Sequence, residues 1–521
     1  MISAGNRNAG ISGLGQTMGS LTIRALRRYP ERPAFSWDGG TLSYAGAADL
    51  IGRYQHALQR KGLGRGSTLA ILAGNRAEAW CIGAAAHASG IATSWLHPMG
   101  SFDDQMFQIR DAEVDGVVVD ERHHSERAGQ LAAACADDVT AVFSFGPCDF
   151  ACDLEDLANS VGSSRAVDLA SRSDIAVIAY TGGTTGKPKG VMRRHASAVR
   201  ATAGILSDFE IPDSPRYLSV APLSHVGGSK VLSTFIRGGS VHLINGFTPE
   251  RVFAAIERER SNFTLLVPSM IYSMLDDPAI DGADLSSLEL ILYGASPMSP
   301  SRLVEGLDRV GPVFSQLYGQ TECYPIALLK KSDHDPSDPD LLSSCGFPLS
   351  PFTVSVRDTE GQEVPTGELG EVCVRDGATM DGYWKNDELT AETLVDGWLH
   401  TGDIARADDR GYLYIVDRKK DMIISGGFNV YPKEVEDALT SHESVSSAAV
   451  YGTPDDKWGE AVTASVVLRP GVIVDESELV ALVKQRKGSV QAPKRIHIVD
   501  SLPLTALGKV DKKALRAQSG L

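Results

Sequence analysis

Residues 174–190 read DIAVIAYTGGTTGKPKG. The first eight, Asp174–Thr181, form an apolar run of the length and β-branched content expected of a buried strand. The next nine hold four glycines, two threonines and two lysines. Glycines let successive backbone N–H groups converge, hydroxyls add donors and lysines add charge, so the segment has the chemistry of an anion cradle. It is not a Walker loop, which needs four residues between its glycines and Ser or Thr after the lysine. Here Pro188 follows Lys187. Taken alone, the string is a glycine-rich surface turn; its full composition favours phosphate.

Downstream of this strand and loop the chain alternates. Ser240–Asn245 reads as a strand and Thr248–Arg260 as a helix, with Thr248 to cap it, Pro249 in its first turn and Val252, Phe253 and Ile256 on one face. Asn262–Val267, Leu288–Tyr293 and Val313–Tyr318 read as further strands, and Pro268–Leu275 and Pro300–Val310 as helices between them. Such alternation predicts α/β layers with largely parallel strands, whose ligands bind at loops beyond the strand carboxyl ends. From Val354 short strands and turns dominate (VSVRD, GELGEVCV, GYLYIVD), a β-rich subdomain. After Asp417–Asp421 (DRKKD) come a helix at Pro432–Leu439, strands at Val445–Tyr451 and Ala461–Leu468, and a helix at Glu476–Lys487. The expected architecture is a large N-terminal domain of layered α/β subdomains plus the β-rich one, residues 1–419. A small mobile α+β C-terminal domain, residues 420–521, follows it.

The whole-chain numbers fit. A chain of 521 residues exceeds any single small module. Gly is 52 of them, well above the average share, without a collagen period. The net charge of −16 argues against general nucleic-acid binding but leaves room for a local cationic site. The N-terminus has no apolar signal-peptide core. The longest stretch free of Asp, Glu, Lys and Arg, Ala79–Phe102, reads as a buried Ala-rich helix and strand rather than a membrane span. Seven scattered cysteines, with only Cys148 and Cys152 close, make no zinc pattern and suggest a reduced, cytoplasmic chain.

Further strings carry chemistry. They are Pro222-Leu223-Ser224-His225-Val226-Gly227-Gly228, Gly294-Ala295-Ser296-Pro297, Tyr318-Gly319-Gln320-Thr321-Glu322 and Thr401-Gly402-Asp403. The hinge-like Asp417–Asp421, Ser425–Pro432 (SGGFNVYP) and Leu502–Val510 (LPLTALGKV) follow. Singly, each has a plain alternative: a core histidine, a generic turn, a solvated charge, a hairpin, a surface lysine. Lys230, just after the glycine turn, is of this kind. At a helix start it would face solvent; turned inward it could pair with a polar or anionic group on a substrate. Cys323 reads as a small packing residue.

Together, in this order and over nearly the whole chain, these strings resemble the adenylate-forming superfamily: acyl-CoA synthetases, firefly-type luciferases and peptide-synthetase adenylation domains. The resemblance implies ATP, Mg²⁺ and coenzyme A as cofactors and a small-molecule carboxylic acid as substrate. It implies a fatty-acid–CoA-ligase-like reaction: acyl-AMP formation with release of pyrophosphate, then transfer to the CoA thiol. Thr181, Gly183, Thr184, Thr185, Gly186 and Lys189 would hold phosphates. Gly182 stands where the family most often has Ser, which removes one hydroxyl donor. Gly294, Ala295, Ser296, Pro297, Tyr318 and Gly319 would lie along adenine. Thr321 would bond the α-phosphate, Glu322 with Thr184 would hold the metal, and Asp403 and Arg418 would reach ribose or phosphate. His225 would gate an acyl pocket shared with Gly228 and Lys230. Lys420 would be the hinge, Gly426, Gly427 and Phe428 would line the pantetheine tunnel, and Lys509 would bridge carboxylate and α-phosphate. Lys509, His225, Thr184 and Glu322 are the expected catalytic set. A phosphopantetheinyl carrier protein as acceptor, luciferase chemistry, and a non-catalytic nucleotide-binding relative are the competing readings. Related enzymes are monomers or homodimers.

Overall fold

A computed structural model describes residues 17–181, 188–418, 421–425, 428–455, 458–505 and 509–518. Two large sheets organise the N-terminal domain. One has nine strands, centred on Arg216–Ser219, Ser240–Leu243, Phe263–Leu266, Leu290–Gly294 and Phe314–Gln320, all parallel. Antiparallel strands close both of its ends. The other has eight, with Thr68–Leu72, Ala92–Trp95, Gly116–Val119 and Ala141–Ser144 parallel at its centre. Ile175–Thr181 joins this second sheet and turns back as Lys189–Arg194, an antiparallel hairpin.

Local chemistry sets the elements between. Helix Pro249–Glu259 starts where the Thr248 hydroxyl accepts the Arg251 N–H, and stops at Arg260, whose φ is 49°. Its apolar face, Val252, Phe253 and Ile256, is buried. The charge-free stretch runs through helix Ala77–Ala88, from just after Glu78, and strand Ala92–Trp95, both largely buried. Among the described residues no helix is long and apolar enough to cross a membrane. Phe35, from the nine-stranded sheet, packs edge-on against Phe235 at 5.1 Å and Trp80 at 5.6 Å, tying two helices to that sheet.

A third sheet of five strands, including Thr353–Arg357, Gly370–Arg375, Trp398–Ala407 and Leu413–Arg418, forms the β-rich subdomain. The small C-terminal domain has its own five-stranded sheet, helices Pro432–Thr440, Glu476–Lys487 and Lys512–Gln518, and its own core of Val435, Leu439, Val450, Val462 and Leu479. It meets the large domain at helix Pro300–Val310. Ser299 Oγ donates to Thr440 Oγ1 at 3.1 Å, Ser301 Oγ to the Thr440 carbonyl at 3.0 Å, and Arg469 pairs with Glu305 at 3.2 Å.

Burial keeps four histidines neutral. It pulls His87 and His225 down to about 3, and His195 and His334 to about 4. In the unfolded chain these imidazoles protonate near the ordinary value of about 6.5. Acid therefore favours the unfolded state, and their contribution is present above about pH 6.5 and lost as pH falls, to about 4 for His195 and His334 and to about 3 for His87 and His225. The thermal unfolding midpoint is expected to drop across that window, and a His87→Phe variant to show a shallower drop. An unchanged slope in that variant would count against His87.

Candidate active site

The carboxyl ends of two adjacent strands of the nine-stranded sheet make one wall. A Cβ on Gly294 would lie 2.4 Å from the Leu317 carbonyl, so only glycine fits there. Ala295 follows at φ 70°, a conformation costly for a side-chain-bearing residue and characteristic of sites where backbone is held against its preference. The Tyr318 hydroxyl donates to Asp403 Oδ2 at 2.6 Å. Burial first, then the Asp403 charge, keeps the phenol protonated and so a donor. Asp403 is itself buried and stands across a strand pair from Arg418. Its backbone N–H donates to Thr401 Oγ1 at 3.1 Å, and the Gly402 N–H donates to Glu371 Oε1 at 2.7 Å with φ at 73°. Gln320 Nε2 reaches the Thr401 carbonyl at 3.3 Å. The Tyr318 and Asp403 motifs, 85 residues apart, thus meet.

Glu322 and Lys189 meet at a second aromatic. The Tyr383 hydroxyl donates to Glu322 Oε1 at 2.8 Å, and Lys189 Nζ lies 5.7 Å from the centre of the Tyr383 ring. The Met380 N–H donates to the Glu322 carbonyl at 2.6 Å. Arg193 grips the Thr321 carbonyl through Nε at 3.2 Å and Nη2 at 2.8 Å, and the Ala378 carbonyl through Nη1 at 2.9 Å. Thr181 pairs with Lys189 across the hairpin. The loop between them, with Gly183, Thr184, Thr185 and Gly186, lies outside the described residues. Among the described residues no group of three or more His, Cys, Asp or Glu could hold a metal. Glu322 offers a single hard oxygen donor set. That suits a Mg²⁺ whose other ligands are phosphate oxygens and water, and not a protein-caged metal.

The histidine turn is fixed from a distance. Asn75 Oδ1 accepts the Leu223 N–H at 2.9 Å, while its Nδ2 donates to the Ile244 carbonyl at 3.0 Å. A Cβ on Gly228 would lie 2.0 Å from the Leu223 carbonyl, and one on Gly227 2.9 Å from that of Ala221, so this turn closes only on glycines. His225 Nδ1 shares a hydrogen bond with Ser224 Oγ at 2.7 Å, and its ring stands edge-on to His97 at 4.4 Å. Lys230 does not face solvent. It is fully buried, with Nζ 2.5 Å from the Tyr324 hydroxyl and 2.9 Å from Ser229 Oγ. The solvent-facing alternative fails because the first turn of helix Ser229–Ile236 points into the core, where Val231, Leu232 and Phe235 are also buried. Cys323 is buried too, its thiol pushed up to about 12 by burial.

In the small domain, Phe428 is 60% exposed and pairs with Ser425 across a hairpin. Gly426 and Gly427 lie outside the described residues, as do Lys420 and the Arg418 side chain. Lys509 sits in a tight turn: the Thr505 N–H donates to its carbonyl at 2.7 Å and its own N–H to Thr505 Oγ1 at 3.3 Å. Leu502 and Val510, flanking that turn, pack on Ala449, Tyr451 and Leu515.

Asn75, His97, Arg193, Glu371 and Tyr383 brace this site without belonging to any motif singled out above. Tyr324 lies within the Tyr318–Pro325 stretch expected from the sequence to lie beside the acyl pocket.

Parallel-cored sheets with a glycine-tight wall at their strand ends, and a small domain carrying Lys509, are the arrangement expected of an adenylate-forming enzyme. Residues 23–384 match the AMP-binding enzyme family model, and residues 434–509 the AMP-binding enzyme C-terminal domain. The chain belongs to that family. It is 42% identical to the medium/long-chain-fatty-acid–CoA ligase FadD8 of Mycobacterium tuberculosis, over 96% of this chain and 90% of that protein. It is 35% identical to a feruloyl-CoA synthase of Amycolatopsis, over 97% and 99%. Among solved structures it superposes on the amide bond synthetase McbA of Marinactinospora thermotolerans with a TM-score of 0.88 and 34% identity, over 96% and 99%.

Proposed function

We propose that the protein is an ATP-dependent carboxylic acid–CoA ligase acting in two steps. The observation that supports this most is that motifs from separate segments pair, Tyr318 with Asp403, and Glu322 with Lys189 through Tyr383, while Lys230, just after the His225 turn, bonds to Tyr324, two residues after Glu322. A carboxylate is a poor acyl donor because its leaving group would be oxide. In the first step its oxygen bonds to the α-phosphorus of ATP and the bond to pyrophosphate breaks. In the second the CoA sulfur bonds to the acyl carbon and AMP leaves.

Positioning and charge neutralisation carry such a reaction. Asp403 accepts ribose hydroxyls, Tyr318 packs on adenine, and Lys189 with the preceding loop, Thr184 and Thr185 included, receives the phosphates. Thr321 bonds the α-phosphate. Mg²⁺, held at Glu322 and Thr184, would neutralise phosphate charge. His225, neutral at working pH, gates the acyl group without adding charge beside it. Lys509 balances the carboxylate and α-phosphate in the first step. The small domain, from residue 420 onward, then turns about Lys420 to withdraw it and present Gly426, Gly427 and Phe428 to the pantetheine arm. All seven cysteines are free, which supports a reducing, cytoplasmic setting.

ATP–pyrophosphate exchange across a panel of aliphatic and aromatic acids tests the reading. Exchange with none of them would defeat it. Thioester formation with CoA and not with a phosphopantetheinyl carrier protein would fix the acceptor. Gly427→Trp is expected to abolish thioester formation while pyrophosphate exchange persists, because an indole at the position assigned to the pantetheine path would obstruct a thin arm. Undiminished acyl-CoA production by that variant would remove the tunnel assignment.

A further inference from the structure

Lys230 has surroundings unlike those of an ordinary structural lysine. It is fully buried, and no carboxylate among the described residues pairs with it. Its partners are two hydroxyls, Tyr324 at 2.5 Å and Ser229 at 2.9 Å, and two aromatic faces, Phe209 at 5.0 Å and Tyr324 at 4.7 Å. Burial pulls the amine well below its usual range. Buried lysines without an acid are costly, and they concentrate where a ligand supplies what the protein omits.

Donor counting sharpens this. As an ammonium, Lys230 has three N–H groups, of which Tyr324 and Ser229 take two. As a neutral amine it accepts the Tyr324 proton on its lone pair and gives one N–H to Ser229, with a second left over. In both states one buried donor lacks an acceptor. Two further hydroxyls, Ser233 and Thr234, three and four residues along the same helix and so on the neighbouring face, are fully buried without a hydrogen-bond partner. Natural interiors leave few such groups.

The placement is specific. Lys230 extends from the His225 turn and Tyr324 from the strand turn that carries Tyr318 and Glu322. The pair therefore spans the gap between the segment assigned to the acyl group and that assigned to the adenylate. We infer that Lys230 and Tyr324 form a specificity subsite for an oxygen acceptor on the substrate acid, remote from the carboxyl group that is activated. The preferred substrates are then acids bearing a distal hydroxyl or second carboxylate, and plain hydrocarbon acids are the poorer ones. A second carboxylate would also bring the counter-charge that the site lacks.

This rests on the ligase reading above, and one experiment separates the two. Pyrophosphate exchange is measured with matched pairs, 4-hydroxycinnamate against cinnamate and octanedioate against octanoate, for the wild type, Lys230→Met and Tyr324→Phe. In at least one pair the wild type is expected to favour the oxygen-bearing acid at least tenfold in kcat/KM. Lys230→Met should bring that ratio near or below one, and Tyr324→Phe should lower it partway. A wild type that favours the plain acid in both pairs, or a ratio unmoved in Lys230→Met, overturns the subsite and leaves the ligase reading standing. Exchange with no acid overturns the ligase reading itself. Should Lys230→Met fail to fold, as its melting curve would show, the Tyr324→Phe ratio decides: a fall supports the subsite and an unchanged value overturns it.

Discussion

Lys509→Ala is expected to lower the adenylation half-reaction by on the order of 10²–10³, the range seen when one preorganised charge-stabilising donor is removed. Thioester formation from preformed acyl-adenylate should stay within about threefold of wild type. The asymmetry follows from the chemistry. When the carboxylate approaches the α-phosphate, two anions meet, and a cation between them is worth most as the new bond forms. Once the mixed anhydride exists, the attacking group is a thiol and that need is gone. The Lys509 turn is packed through Leu502 and Val510 against the small domain's own residues Ala449, Tyr451 and Leu515. Truncating the lysine beyond Cβ leaves those apolar contacts in place. The measurement is pyrophosphate exchange beside single-turnover thioester formation from synthetic acyl-AMP. Equal loss in both would take Lys509 out of its assigned role.

Where elements carry their own start and stop signals, the sequence was legible to the residue. Helices Pro300–Val310 and Glu476–Lys487 have the bounds read for them, the first opened by Pro300 and closed by Gly311 at φ 103°, the second capped by Asp475. Of the eight-stranded sheet, the sequence showed the strand before the glycine loop and, by its charge-free composition, the helix and strand within Ala79–Phe102. The other central strands are four or five residues long, too short to show a period. Motif residues such as Tyr318 and Asp403 were visible because each sits in a distinctive short string. What holds them was not. Arg193 reaches Thr321 across 128 residues, and Asn75 reaches Leu223 across 148. Such bonds depend on how sheets stack, which no local window contains. Lys230 shows the same limit: its inward turn is defined by Tyr324, 94 residues away.

Asp403→Ala should raise KM for ATP and lower kcat/KM for ATP in pyrophosphate exchange by on the order of 10²–10³. Hydrogen bonds to a charged group are worth about 1.5–3 kcal/mol each, and a ribose offers two hydroxyls to this carboxylate. Losing both costs about 3–6 kcal/mol at the upper limit, of which water entering the vacated space returns a part. Asp403 also accepts the Tyr318 hydroxyl at 2.6 Å, so the variant leaves a half-buried phenol without that partner. Tyr318→Phe isolates this second effect, because it keeps the carboxylate and the ring that packs on adenine. It should cost less than tenfold. If Asp403 acts mainly on ribose, its loss should shrink when 2′,3′-dideoxy-ATP replaces ATP, since that nucleotide has no hydroxyls to lose. If it acts mainly by holding Tyr318, the two variants should match and the dideoxy nucleotide should change nothing. The double variant closes the cycle: two separate roles predict additive losses, and a single Tyr318–Asp403 unit predicts that the second substitution adds little.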